Sequence, residues 1–301
     1  MLRALAGRIV FAVTLVLAAF VGVYVLTDLA PGDTLGDREF DLSPQAVAQE
    51  RARLGLDQPL PVRVGTRLAR LAVLDLGTSV RYNRPVAALV LERAIPTLQA
   101  GAAAFALAFA LGIPAGVLAA RAPRTVVRRA IATTSIALLS LPALVIALVL
   151  TAIGSAAGLP SFIVMVVALG LPAAALFERL QARAMDAALS QTCLQAARAR
   201  GVPPVLITWR HAWPLSLPSV IGLVGVVASQ LLSGSLAIEL VTARPGLGRL
   251  TFQALLARDL DLAAGCAAAA ALIVSAATLV ADAAQLWLDP RLLAEPAGSP
   301  R

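Results

Sequence analysis

The sequence predicts an all-α protein that crosses a membrane six times, and three observations carry that expectation. Hydrophobic residues make up 59% of the 301 residues and charged residues 14%, with a mean hydropathy of +0.84. That is far from the roughly 45–50% apolar, about 25% charged balance of soluble domains. The charges are gathered into short passages between uncharged runs long enough to cross hydrocarbon. Two of those passages are rich in Arg and poor in acids, as the cytoplasmic loops of membrane proteins are.

The spans follow in order. Between Arg8 and Asp28 lie 19 uncharged residues, close to the roughly 20 a helix needs to cross the hydrocarbon core. A cleaved signal peptide is the competing reading, but the run exceeds a typical apolar signal region and no A-x-A-like site follows it, so an anchor is expected. Arg93 and Arg121 enclose 27 uncharged residues, the second span, and Arg129 and Glu178 enclose 48, too many for one helix. The passage Gly154 to Pro160 carries the Gly and Pro that divide this run into spans three and four. Arg210 to Glu239 leaves 28 residues for span five and Asp261 to Asp282 leaves 20 for span six. Pro114, Pro142 and Pro172 predict kinks. Gly112 with Gly116 has the spacing of close helix packing.

Loop charges orient the chain. Arg121, Arg124, Arg128 and Arg129 stand without an acid, and residues 178–215 carry five Arg against Glu178 and Asp186. Both loops are expected to be cytoplasmic, which places both termini there. The expected organisation is an N-terminal membrane helix at 1–27, an external segment at 28–95, a membrane core at 96–288 with a cytoplasmic loop at 181–215, and a cytoplasmic tail at 289–301. Within the external segment, Ser43-Pro44 through Gly55 has the signals of a short helix. Pro61 to Leu74 sets Val64, Leu68, Leu71 and Leu74 near helical spacing.

Composition excludes several functions. All 25 basic residues are Arg, so the GxxxxGK[ST] cradle of a phosphate-loop ATPase cannot be built. The net charge of +8 comes without a basic stripe interleaved with aromatics, which argues against nucleic acid. Cys193 and Cys266 are too few and too distant in sequence for a disulfide framework or a zinc site, and no metal or catalytic site is expected. An intramembrane enzyme would need a nucleophile with its base, a carboxylate pair or a metal cluster. His211 is the sole His, and no H-E-x-x-H or G-x-S-x-G occurs. A secondary transporter would ordinarily place ionisable residues near mid-membrane, and the first five spans have none there.

The passage after span four is the most informative. Leu189 to Arg200 can form a helix with Leu189, Cys193, Ala196 and Ala197 on its apolar side, Gly201 is placed to end it, and Pro203-Pro204 starts a second short helix. Such an element either docks into a groove on another protein or rests on lipid headgroups, with Arg198, Arg200 and Arg210 paired to phosphate. Within the spans, Gln99, Ser229, Gln230, Ser233 and Ser235 are the polar candidates to line a route, with Glu239 at the membrane edge. The PGLG passage at Pro245 to Gly248 is expected to form a tight turn between spans five and six.

Motifs in a fixed order sharpen this. LAPGD (Leu29 to Asp33), LGLDQPL (Leu54 to Leu60), DLGTSVRYNRPV (Asp75 to Val86), ERAIPTL (Glu92 to Leu98), ARARG (Ala197 to Gly201), RHAW (Arg210 to Trp213), PGLGRL (Pro245 to Leu250), ARDLD (Ala257 to Asp261) and LDPR (Leu288 to Arg291) run through the chain. In these the chain resembles the permease subunits of the peptide and nickel branch of ABC importers, the first of their two permeases in particular. The resemblance implies a type I, MetI-like permease fold in a bacterial inner membrane. It also implies a second similar permease, two cytoplasmic ATPase subunits that hold ATP and magnesium, and an external solute-binding protein. By the resemblance, the loop residues Gln195, Ala196, Ala197, Arg198, Ala199, Arg200, Gly201, Arg210 and His211 couple to the ATPase. Pro245, Gly246 and Gly248 then belong to the external loop facing the binding protein. Gln195 stands where the general permease loop has an acid, and Cys193 where an aromatic is usual. The expected solute is a di- or oligopeptide, with nickel or another small solute as the alternative. A secondary transporter is the alternative class.

Overall fold

The computed structural model describes residues 2–29, 45, 48–49, 57–122 and 125–288. The predicted helix at Ser43 to Gly55 and the tail from Asp289 lie outside this set, apart from isolated residues. Among the described residues the secondary structure is helical save for one isolated bridge, Thr78 with Pro85. The helices are α1 (Leu2–Leu29), α2 (Leu60–Ala72), α3 (Val86–Arg121), α4 (Val126–Ser140), α5 (Ala143–Ala157), α6 (Ser161–Leu189) and α7 (Thr192–Ala199). There follow α8 (Pro204–Leu206), a π-helical turn (Ile207–Ala212), α9 (Trp213–Ile221), α10 (Val224–Val241), α11 (Leu247–Leu256) and α12 (Leu260–Leu288).

Five helices, namely α1, α3, α6, α10 and α12, are long and apolar enough to cross a membrane, and the bent pair α4–α5 makes six if it crosses as one span. This is an all-α polytopic membrane protein. The kink expected at Pro142 is a full break: α4 ends at Ser140 and α5 leaves at 93° to it, because Pro142 cannot continue the hydrogen-bond ladder. Two expectations are corrected in detail. The fourth span does not stop at Glu178, since α6 runs on to Leu189 with Glu178 buried within it. Span five is interrupted at Gly222-Leu223, between α9 and α10.

The chain packs as two units, one comprising residues 1–2, 98–244 and 276–301 and the other residues 3–97 and 245–275. In the first, Phe105, Phe109 and Phe177 meet edge to face or stacked within 5.6 to 6.3 Å, beside Ala100, Ala104, Met165 and Leu169. The paired glycines explain how α3 reaches α6. A Cβ on Gly112 would lie 2.4 Å from the Ala174 carbonyl oxygen, and one on Gly116 2.6 Å from that of Glu178. Small residues let backbones touch where hydrocarbon offers no hydrophobic drive.

In the second unit α2 is the amphipathic helix foreseen over Pro61 to Leu74. Val64, Leu68 and Leu71 pack with Phe20 and Tyr24 of α1 against Ala264 and Ala268 of α12. Leu74 does not join them: it lies beyond the helix at φ +60°, 84% exposed.

Candidate functional site

The passage after α6 is built on a small apolar core. Leu194 of α7 and Ile207 and Ala212 of the π turn are buried with Val117, Ala120, Met185 and Ala188. The inward side of α7 therefore centres on Leu194, with Ala197 half-buried, whereas Cys193 and Ala196 are exposed. This corrects the expected apolar side, and the helix starts at Thr192 rather than Leu189. Gly201 ends it at φ +80°. Its N–H donates to Arg198 O at 3.0 Å and the Val202 N–H to Ala197 O at 3.2 Å, which satisfies the last carbonyls. Pro203 and Pro204 then open α8 with the fixed φ a helix start tolerates.

What remains outward is a mixed surface. Val205, Leu206 and Trp209 are 55%, 43% and 42% exposed, next to exposed Gln195, Arg198, Ala199, Arg200 and Arg210, with His211 half-buried. Gln195 Nε2 donates to Ser190 O, the C-cap of α6, at 3.1 Å, and Arg200 Nε to Ala196 O in the last turn of α7 at 3.3 Å. Behind this surface, Gln181 Nε2 donates to Ser216 Oγ at 2.8 Å, and Ser216 Oγ donates to Trp213 O at 2.7 Å. That relay fastens α9, which follows the passage, to α6. Sequence reasoning missed it because it took Glu178 as the end of the span, although a buried-span Gln is the signal to look for.

The six polar span candidates divide. Gln99, Gln230 and Ser233 are exposed on the unit's surface, the last two on one side of α10 with Val226. Ser235 and Glu239 are 2% and 1% exposed, and Ser235 Oγ donates to Leu232 O. Ser229 is half-buried and donates to Gly225 O at 2.9 Å.

In the second unit the expected PGLG turn is instead the start of a helix. Gly246 is the extended N-cap of α11, and Gly248 lies inside it. Thr97 Oγ1 accepts from the Leu247 N–H at 2.8 Å and fixes this start against α3.

Of the two acids of ARDLD, Asp259 holds DLGTSVRYNRPV and Asp261 ties α12 to α1 and α2, and sequence reasoning assigned neither a role. Asp259, 1% exposed, accepts from Ser79 Oγ at 2.5 Å, from the Arg81 N–H at 3.0 Å and from the Leu262 N–H at 3.3 Å as N-cap of α12. Asp261 accepts from Tyr24 Oη at 2.7 Å and pairs with Arg67 at 2.8 Å. Gly77, at φ +79°, leaves room for it, since a Cβ there would stand 2.7 Å from Asp261 Oδ2. Just before, the Gly77 N–H and then Arg70 hold the Asp75 carboxyl below its ordinary range. Among the described residues no group of His, Cys, Asp or Glu is placed to hold a metal ion.

This combination of apolar spans, a braced helix-turn-helix between two of them and motif-bearing loops matches a known family. Residues 112–294 match the family model for the binding-protein-dependent transport system inner membrane component. The chain belongs to this family. The permease is 31% identical over 307 residues to a peptide transport system permease protein of Brucella abortus, covering 95% of this chain and 97% of that one. It is 28% identical over 300 residues to a peptide ABC transporter permease protein of Sinorhizobium fredii (93% and 96% covered). It is 29% identical over 272 residues to the glutathione transport system permease protein GsiC of Pectobacterium atrosepticum (86% and 88% covered). The resemblance to ABC permeases of the peptide type, drawn from the motifs, is borne out, and the permease is a multi-pass transport component.

Proposed function

We propose that the permease moves di- or oligopeptides inward through a bacterial cytoplasmic membrane, driven by ATP hydrolysis on separate ATPase subunits docked at residues 192–212. The observation that carries this reading is the exposed Val205, Leu206 and Trp209 among three arginines, on a passage anchored by Leu194 and Ile207. An apolar patch rimmed by charge is what a protein groove recognises. The peptide and glutathione names of the relatives support the solute class over nickel. Gln99, Gln230 and Ser233 would face a second permease across the route, because polar groups left outward in hydrocarbon ordinarily meet a partner or a cavity. A binding protein outside delivers the solute, and the permease itself hydrolyses nothing.

Gly201→Val tests the coupling passage. Nothing lies within 4 Å of a Cβ at Gly201, so the substitution acts through φ +80° alone. A left-handed residue other than Gly costs about 1–2 kcal/mol, enough to lower occupancy of the docking geometry by roughly five- to thirty-fold. Peptide uptake and ATPase co-purification fall while membrane abundance is unchanged; normal uptake with normal co-purification would remove this passage from the mechanism.

Orientation is tested by reporter fusions. Fusions after Arg124, Asp186 and Arg301 should score cytoplasmic, and those after Gln58 and Arg249 external. An external signal after Asp186 would reverse the topology.

A further inference from the structure

We propose that α2 lies half-immersed in the outer leaflet of the bilayer, with Val62, Gly65, Ala69 and Ala72 turned to lipid acyl chains. Helical spacing gives α2 three sides. Val64, Leu68 and Leu71 pack with Phe20 and Tyr24 of α1 against Ala264 and Ala268 of α12. Arg63, Arg67 and Arg70 form the second side, and the chain itself engages them: Arg67 pairs with Asp261 at 2.8 Å, Arg70 pairs with Asp75 at 3.0 Å, and half-buried Arg63 is engaged as well. The third side, Val62, Gly65, Ala69 and Ala72, is exposed and uncharged. A Cβ on Gly65 would meet nothing within 4 Å. Thr66, between the second and third sides, donates its hydroxyl to Val62 O at 2.9 Å, which leaves no donor there to seek water.

The residues under α2 set its level. Tyr24 and Phe20 lie three and seven residues before Thr27, the end of the α1 span, and Ala264 and Ala268 lie four and eight residues after Leu260, where the α12 span starts. At 1.5 Å per residue both pairs stand about 5–12 Å inside the spans, the depth at which an interfacial helix beds its apolar face. Acyl chains reach that level, and a water-borne protein does not. The pair of Arg67 with Asp261 lies at the start of the α12 span, so the basic side sits at the water boundary. The end of the helix supplies an anchor. The Leu74 N–H donates to Leu71 O and the Asp75 N–H to Arg70 O, both at 2.9 Å, which closes α2 through a left-handed residue at φ +60°. Glycine is usual at such a position; here Leu74 takes it and stands 84% exposed beside Val73 at 75%. A strained apolar residue turned away from the chain suits insertion between lipids. Which leaflet holds α2 rests on the orientation proposed above; the immersion does not.

The test places the full chain in phosphatidylcholine nanodiscs with a nitroxide at Val62→Cys, Ala69→Cys or Val73→Cys, in a Cys193→Ser background; Cys266 is buried and stays unlabelled. Power saturation compares collision with oxygen, which concentrates among acyl chains, and with a nickel chelate, which stays in water. Val13→Cys, on the exposed surface of the α1 span, is the lipid reference, and Gln58→Cys, exposed just before α2, is the water reference. The expected result is an oxygen-to-nickel ratio at all three sites at least threefold above that of Gln58 and close to that of Val13. A ratio at any of the three equal to that of Gln58 overturns the proposal. Low collision with both reagents also overturns it, because another segment of the chain would then cover this side. Lipid-like ratios with a cytoplasmic score for the Gln58 reporter fusion would sink the orientation and leave the immersion standing. Water-like ratios with an external score would do the reverse.

Discussion

Replacing Gly112 by valine should markedly lower the amount of folded permease in the membrane. A Cβ there meets the Ala174 carbonyl oxygen at 2.4 Å, the Phe177 Cβ at 2.7 Å and the Glu178 nitrogen at 3.1 Å. Two of these atoms are backbone, so no side-chain rotation relieves the clash and α3 must move off α6. Overpacking costs about 1–3 kcal/mol when side chains can adjust, and a backbone contact belongs at or above the top of that range. Against a total stability of about 5–15 kcal/mol, the loss is large. The effect should extend to the passage at residues 192–212, because Val117 and Ala120 of α3 form part of its floor. Gly101→Val is the control, since nothing lies within 4 Å of a Cβ at that position. Membrane abundance and monodispersity on size exclusion decide it, and wild-type levels of Gly112→Val would show that the two helices do not meet at these glycines.

Asp259→Ala should release the loop at residues 77–86 without removing a span. Three donors lose one buried acceptor group, Ser79 Oγ, the Arg81 N–H and the Leu262 N–H. Each unmet buried donor costs about 1–3 kcal/mol and a lost N-cap about 1 kcal/mol. The loop's own bonds, Ser79 N–H to Arg84 O, Asn83 N–H to Ser79 O, Tyr82 N–H to Ser79 Oγ and Val86 N–H to Gly77 O, tie it only to itself. Amide hydrogen exchange at 77–86 should accelerate by two orders of magnitude or more, while exchange in α6 is unchanged. Asp259→Asn keeps one acceptor and the side-chain shape, and should fall between. Protection of the loop equal to wild type in Asp259→Ala would show that Asp259 is not its anchor.

The spans were legible because hydrocarbon judges each segment by itself: a run without charge and long enough to cross is a property of consecutive residues. The Gly112 and Gly116 spacing and the Gly end of α7 were legible for the same reason, being set by local backbone sterics. Other features needed the packed chain. Leu141-Pro142 announces a break, but a bend of 93° is set by what α4 and α5 pack on. Gly246 reads equally as a turn or an N-cap, and Thr97, 150 residues away, makes it the start of a helix. An eight-residue helix has too few turns to declare its buried side, so Leu194 rather than Cys193 and Ala196 emerged only against Met185 and Ile207. Polarity likewise marks Gln230, Ser233, Ser235 and Glu239 as a set, yet the fold turns two outward and buries two. Asp259 and Asp261 meet partners 178 to 237 residues distant. Hydrophobicity and chain stiffness act over a few residues and can be read along the sequence. The pairing of buried polar groups depends on which distant segments the fold brings together, and only the tertiary structure decides that.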